Sequence, residues 1–378
     1  MDTEAVKEIA DREKKMHEPR FHVVKRASYP WYKSWAIHII AIALALVFCG
    51  LLTMLLTGLS PIEVYTTMWK GSFGTTRRIW NLLQETAMLL CISVALVPAF
   101  TMRFWNIGAE GQVLMGGLAT AAAMILLGDT NIPNAVLIII MIVVSIAAGA
   151  IWAIIPAVFK AKWNTNETLF TLMMNYVAIQ LCSYFSIVWE MPKGSGTIGI
   201  INQSTRLGWL PTIGDYTYLL NIIVVVVLTI VIFLYMKYTK HGYEIAVVGQ
   251  SENTARYVGI NIKKVIIRTM ALSGAICGIA GLLLVGGTDH TITSSTANNR
   301  GFTAIMIAWL GKLNPILMII VSLLIAFLEK GAGQITSDCG LNDSFSDILT
   351  GIILFFIIGC EFFANYQIKM RKSGKEDK

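Results

Sequence analysis

The chain has little charge. Of its 378 residues only 14% are Asp, Glu, Lys or Arg, while 55% are hydrophobic and the mean hydropathy is +0.65. Soluble proteins carry roughly 25% charged residues, so a water-soluble globular domain is excluded. Histidine is scarce as well. His17, His22, His38, His241 and His290 are scattered over tails, one apolar run and loops. A membrane enzyme wants His, Asp or Cys clustered at one face, and that pattern is missing. There is no G-x-x-x-x-G-K-[ST] phosphate loop, so the chain is expected to hydrolyse no ATP and to bind no cofactor itself. No CxxC pair occurs. Cys49, Cys91, Cys182, Cys277 and Cys360 lie in apolar stretches and only Cys339 in a loop. They read as reduced thiols acting as small hydrophobes.

What is abundant is long apolar runs. Ten approach the roughly 20 residues that a membrane helix needs: 35–56, 80–102, 112–127, 135–159, 168–189, 218–238, 265–286, 302–313, 316–329 and 348–365. The third, eighth and ninth are short. The last two of these meet at Asn314-Pro315, where proline interrupts a helix and restricts its predecessor. The fold class is therefore an all-α polytopic membrane protein of about ten transmembrane helices, several short or broken. A membrane domain, 35–366, lies between an N-terminal tail, 1–34, and a basic tail, 367–378.

The formal charge of +7 does not point to nucleic acid. Basic residues gather in the two tails, at Lys160 and Lys162, and in the loop 239–264. The positive-inside rule then places both termini in the cytoplasm, with an even number of spans. The loops 128–134, 190–217, 288–300 and 331–346 fall outside. Lys70, Arg77 and Arg78 land outside too, against the rule. The polar, mixed-charge segment 1–33 does not read as a cleavable signal peptide.

Several polar groups interrupt this apolar background. Between the second and third runs stands Phe104-Trp-Asn-Ile-Gly-Ala-Glu-Gly-Gln112. Carboxamides and a carboxylate there are unfavourable unless they face protein or water. Asn106, Glu110 and Gln112 either line a solute pathway or satisfy backbone groups freed by a helix break. Gly108 and Gly111 read as points of close helix packing. Asn166 and Glu167 suit a helix N-terminus. Asn175 and Tyr176 lie mid-run, and Asn175 should face protein or a cavity. Glu85, Glu329 and Glu361 stand near segment ends, with only Lys330 beside Glu329 as an evident partner. Asp289 and His290 read as a solvated loop, since no second His or Cys is near enough in sequence for a metal site.

The loop 239–264 carries its own helix signal. Ser251 is a good N-cap, Glu252 suits the first turn, and Gly259 sits where a helix stop wants a left-handed residue. The spacing predicts about two turns, marginal alone and held by packing. Such a helix is either a lid resting on the headgroups or a piece that docks into a motor subunit. Gly-rich apolar segments recur at 108–117 and at 278–287 followed by 301–315, a faint echo of duplicated halves.

Five blocks in order carry a more specific signal: FWNIGAEGQ at 104–112, NETLFTLMMNYVA at 166–178, VVGQSENTARYVGINIKKV at 247–265, ALSGAICGIAGLLLVGG at 271–287 and GFTAIMIAWLGKLNP at 301–315. Together they resemble the permease subunits of ABC importers for nucleosides and simple sugars, a family related to the branched-chain amino acid permeases. The resemblance covers roughly 82–356, and the first block is more similar to the nucleoside branch than to the ribose branch.

The resemblance implies a multi-pass permease of the plasma or inner membrane that forms the translocation pathway with a second permease, alike or different. An extracellular substrate-binding protein would deliver the solute. Cytoplasmic ABC ATPases would use the ATP and engage Gly249, Ser251, Glu252, Asn253, Ala255, Arg256, Tyr257 and Gly259. Pathway candidates are Asn106, Glu110, Gln112, Asn175 and Tyr176. A stand-alone ion-coupled secondary transporter is the alternative, and Glu110 is the one tempting carboxylate for it.

Overall fold

A computed structural model describes residues 21–25, 31–58, 60–128, 130, 132–214, 216–338, 340, 342 and 344–370. It is dominated by helices. In chain order they are α1 (Trp31–Thr57), α2 (Pro61–Phe73), α3 (Thr76–Thr101), α4 (Ala109–Leu127), α5 (Asn134–Trp163), α6 (Glu167–Val188), α7 (Leu219–Tyr238), α8 (Lys240–Gln250), α9 (Glu252–Tyr257), α10 (Ile262–Leu284), α11 (Arg300–Leu310), α12 (Pro315–Asp338) and α13 (Ser344–Asn365). A π-helical turn, Val285–Asp289, extends α10. Each of the ten apolar runs falls on a helix. Among the described residues, seven helices are long and apolar enough to cross a membrane, and α11 belongs to the shorter apolar ones.

Two helices were not expected as separate elements. α2 follows the mixed-polarity run PIEVYTTMWKGSF, too amphipathic to register as a span. α8 precedes α9 in a loop that the sequence read as polar up to Ser251. Its Ile245 and Val248 are buried, so the segment is an amphipathic helix.

The chain divides into two compact units, Met1–Thr67 with Ala332–Lys378, and Met68–Gly331. In the first, α1 packs along α13. Cys49 Sγ lies 3.8 Å from the Leu349 carbonyl, and the rings of Phe48 and Phe356 are 5.9 Å apart. The segment Phe21–Lys25 (β1) pairs antiparallel with Tyr366–Met370 (β2), Phe21 opposite Met370. Most of the two tails, and the loop residue Cys339, lie outside the described residues. Cys49, Cys91, Cys182 and Cys277 are free and buried.

In the second unit α3 is the central helix, buried from Gln84 through Phe100. It touches α7, α10 and α11, while α4, α5 and α10 pack on one another. Glycines set how close these three come. A Cβ on Gly116 of α4 would stand 2.5 Å from Gly278 of α10, and one on Gly278 would strike the Ser145 carbonyl of α5. The two Gly-rich segments that echo each other in sequence therefore meet face to face, with backbones closer than side chains allow. α5, α6 and α7 leave Ile139, Val143, Ile187, Val226, Val227 and Ile230 exposed. An apolar surface of this extent needs lipid or a partner against it.

Candidate functional site

The segment between α3 and α4 is a knot of internal hydrogen bonds. α3 ends after Pro98, and Arg103 takes a left-handed φ of 61°. The chain then crosses in extended form to α4. Asn106, fully buried, orders this crossing. Its Oδ1 accepts from Gly108 N at 3.0 Å and from Gln112 Nε2 at 3.1 Å. Its Nδ2 donates to Gln112 Oε1 at 3.3 Å and to Ser273 Oγ at 3.4 Å. Asn175 acts from α6: its Oδ1 accepts from Gly111 N at 2.9 Å and its Nδ2 donates to the Ile107 carbonyl at 2.9 Å. Thr171, one turn earlier, accepts from Ile107 N at 3.1 Å. The polar groups freed by the break are thus satisfied by side chains from α4, α6 and α10.

Glu110 works on a different element. Its carboxylate accepts from Asn299 N at 2.8 Å and Gly301 N at 2.7 Å. These are the first amides of α11, whose N-cap Asn299 sits at φ 58° and offers no side-chain bond of its own. The positive end of a short helix is therefore filled by a carboxylate from α4. Gly301 makes room for it, since a Cβ there would come 2.8 Å from Glu110 Oε2.

A second carboxylate holds the same helix. Glu85 of α3 takes Arg300 Nε at 2.5 Å and Nη2 at 3.0 Å, and Lys330 Nζ approaches at 3.1 Å. Arg300 Nη1 also donates to the Thr296 carbonyl at 3.1 Å. This corrects the sequence reading, in which only Glu329 had a partner in Lys330. The pairing of Glu85 with Arg300 joins residues 215 apart, and no local spacing encodes it. The reading of Asp289 and His290 is half corrected. Asp289 is exposed, but His290 stacks on Trp209 with centroids 3.7 Å apart and planes 1° from parallel. Burial there lowers its pKa below the usual imidazole value.

Of the five pathway candidates, Asn106, Glu110, Gln112 and Asn175 are buried and meet around the α3–α4 crossing. Tyr176 points away from them and is 59% exposed on α6.

The loop candidates form one compact feature. Ser251 caps α9 by accepting from Thr254 N at 3.2 Å. Gly259 closes it with φ 78° and donates to the Arg256 carbonyl at 3.1 Å. Ala255 is buried in a cluster with Ile245, Val248, Ile266 and Met270, which supplies the packing that six residues of helix need. Gly249 lets α8 cross the end of α3, because a Cβ there would strike the Thr101 carbonyl. The outer face is open. Asn253 is exposed, Glu252 and Arg256 form an exposed pair at 3.6 Å, and Tyr257 is 93% exposed. Two cavities of about 320 and 470 Å³ flank the helix, both lined by Lys160, Glu252 and Ile266. Lys160 pairs with Glu167 at 2.9 Å, tying the end of α5 to the start of α6. Among the described residues no group of three His, Cys, Asp or Glu could hold a metal ion.

Comparison with known proteins places this geometry. The profile of the family described as branched-chain amino acid transport system / permease component matches residues 78–358. The chain is similar to the guanosine ABC transporter permease protein of Bacillus subtilis, 28% identical over 93% of this chain and 99% of that one. It is 26% identical to the glucose ABC transporter permease protein of Haloferax volcanii, covering 91% of this chain and 92% of that one. The nucleoside ABC transporter permease protein of Lactococcus lactis is 26% identical, over 82% of this chain and 86% of its own length.

Proposed function

The chain belongs to the branched-chain amino acid transport system permease family, and from that premise we propose that it builds the translocation pathway for an uncharged nucleoside or simple sugar. It is a multi-pass membrane permease and not an ATPase subunit. The observation that carries the reading is the family match over residues 78–358. The names of the relatives, guanosine, nucleoside and glucose permeases, support the solute class.

The site favours an uncharged solute for a physical reason. Helix N-termini at broken transporter helices commonly seat anionic substrate groups. The N-terminus of α11 is already occupied by Glu110, so a carboxylate or phosphate would meet a like charge. The same commitment weakens the ion-coupled alternative. A proton relay needs a carboxylate free to exchange its proton, and Glu110 and Glu85 are both held in charge-assisted hydrogen bonds.

In this reading α9 is the piece that engages the ATPase, with both termini in the cytoplasm and ten spans in all. Tyr257 and the Glu252–Arg256 pair offer an aromatic anchor with a polar rim, the usual anatomy of an interface. ATP binding closes the ATPases, moves two such helices together, and rocks the bundles to switch the pathway's open side. An extracellular binding protein delivers the solute, and the solute is not chemically altered. Asn106, Gln112 and Asn175 hold the α3–α4 crossing beside the pathway, and Tyr176 faces outward for the solute or a second permease. The test is uptake of labelled guanosine and glucose in cells expressing the whole system. Uptake lost on ATP depletion and retained with an uncoupler supports the reading. Uptake that survives ATP depletion and collapses with the uncoupler contradicts it.

A further inference from the structure

Three helices distant in sequence bring two carboxamides and a hydroxyl together in the second unit. Gln84 Nε2, on α3, donates to Thr288 Oγ1 in the π-helical turn at 2.7 Å. Asn221 Nδ2, near the start of α7, donates to the same oxygen at 3.3 Å and to the Leu283 carbonyl at 3.4 Å. Thr288 Oγ1 donates its own proton to Leu283 O at 3.3 Å. Gly287 makes room for this arrangement, since a Cβ there would stand 2.5 Å from Asn221 Oδ1. Gln84 and Asn221 are both more than nine-tenths buried.

One atom is left over. Gln84 Oε1 is buried and accepts no hydrogen bond. Turning the amide over does not help: the carbonyl would then face the hydroxyl and the NH₂ would be the orphan. A buried polar atom without a partner is unfavourable and calls for an explanation.

The neighbouring charges decide what kind of partner fits. Glu85 follows Gln84 in the chain and draws in the donors of Arg300 and Lys330. Asp289 follows Thr288, is exposed, and has no ion pair within 4 Å among the described residues. The Gln84 carbonyl is left without a partner, and the Asp289 carboxylate sits in the field of Arg300 and Lys330 without pairing with either. With the Gln84 NH₂ on Thr288, both accept and neither donates. A neutral molecule with O–H or N–H donors would be held.

We propose that Gln84, positioned by Thr288 and Asn221 and flanked by Asp289, is an accepting contact for an uncharged solute that presents hydroxyl or ring N–H donors. This rests on the importer reading above and adds the residue that reads the solute. Asn221 and Thr288 act through Gln84 and are positioning residues.

The experiment measures uptake kinetics of guanosine, its deoxy analogues and glucose with the whole transporter, wild type and Gln84→Met, which keeps length and removes the carbonyl. The expected result is a KM raised about tenfold, the size of one lost hydrogen bond, with co-purification of the ATPase unchanged. In the wild type, removing the solute donor that meets Gln84 raises KM by a similar factor. In Gln84→Met that removal has no further effect. Gln84→Ala replaces Gln84→Met if the latter does not assemble. An assembled variant with wild-type KM, or an analogue penalty that persists in Gln84→Met, overturns the proposal. Wild-type protein that imports neither guanosine nor glucose overturns the importer reading instead, and the proposal with it.

Discussion

Glu110 and Gly301 are 191 positions apart in the chain, yet the Glu110 carboxylate accepts the Gly301 amide at 2.7 Å. With the Asn299 amide at 2.8 Å, it caps a helix that has no side-chain cap of its own. Glu110→Gln removes the charge and points an NH₂ at two donors. We expect the purified protein to lose about 1–2 kcal/mol of stability, seen as a lower melting temperature in detergent. Glu110→Asp, one methylene short, should behave similarly. A variant that melts like the wild type would remove Glu110 from this role.

The Glu85 cluster gives an asymmetric expectation. Glu85→Gln strands Arg300, whose side chain is 14% exposed, without its anion. Breaking a buried pair in this way costs about 3–5 kcal/mol. Arg300→Gln leaves Lys330 to neutralise Glu85 and should be the milder change. The double variant Glu85→Gln/Arg300→Gln should recover part of the loss. Thermal melting of the three proteins side by side checks the order, and an Arg300→Gln loss equal to or larger than that of Glu85→Gln would contradict it.

How much of this was legible in the sequence depends on range. The Ser251 cap, the Gly259 stop and the Asn166 cap are local patterns, and each reappears in the structure; the apolar runs lie on helices, of which seven among the described residues are long and apolar enough to span. The satisfied helix break was legible as one of two readings, because polar residues beside glycine need partners. Its partners were not, since Asn175 and Ser273 come from other blocks. The Glu85–Arg300 pair and the seat of Glu110 were hidden because residues so far apart carry no periodic signal. α2 and α8 escaped because short amphipathic helices look like polar loops to a hydropathy reading.

His290 predicts a pH dependence. Its imidazole is half-buried against Trp209 and its pKa is lowered by that partial burial. A base with a depressed folded pKa stabilises the packed loop above the ordinary imidazole value. That stability is lost as pH falls through the ordinary value toward the depressed one. Hydrogen exchange of the Ile201 amide, which donates to the His290 carbonyl at 2.8 Å, should therefore quicken below about pH 6.5. His290→Phe should flatten the profile. Exchange independent of pH in the wild type, after correction for intrinsic rates, would contradict this.

Gly249 separates docking from folding. Gly249→Ala drives a Cβ into the Thr101 carbonyl and must shift α8 and with it α9. We expect intact membrane insertion and melting within about 1–3 kcal/mol of wild type, but impaired ATP-dependent uptake. Wild-type uptake with the alanine in place would show that the crossing of α8 over α3 has no bearing on coupling.

The most direct test of the permease reading is gentle solubilisation of the tagged protein from its native membrane, with identification of what comes with it, in wild type and in Tyr257→Ala. The expected result is an ABC ATPase and a second permease subunit with the wild type, and loss of the ATPase, not of the second permease, when the 93%-exposed Tyr257 is truncated. A wild-type protein recovered alone after crosslinking would contradict the importer assignment. An ATPase retained at full yield by Tyr257→Ala would contradict the role given to α9.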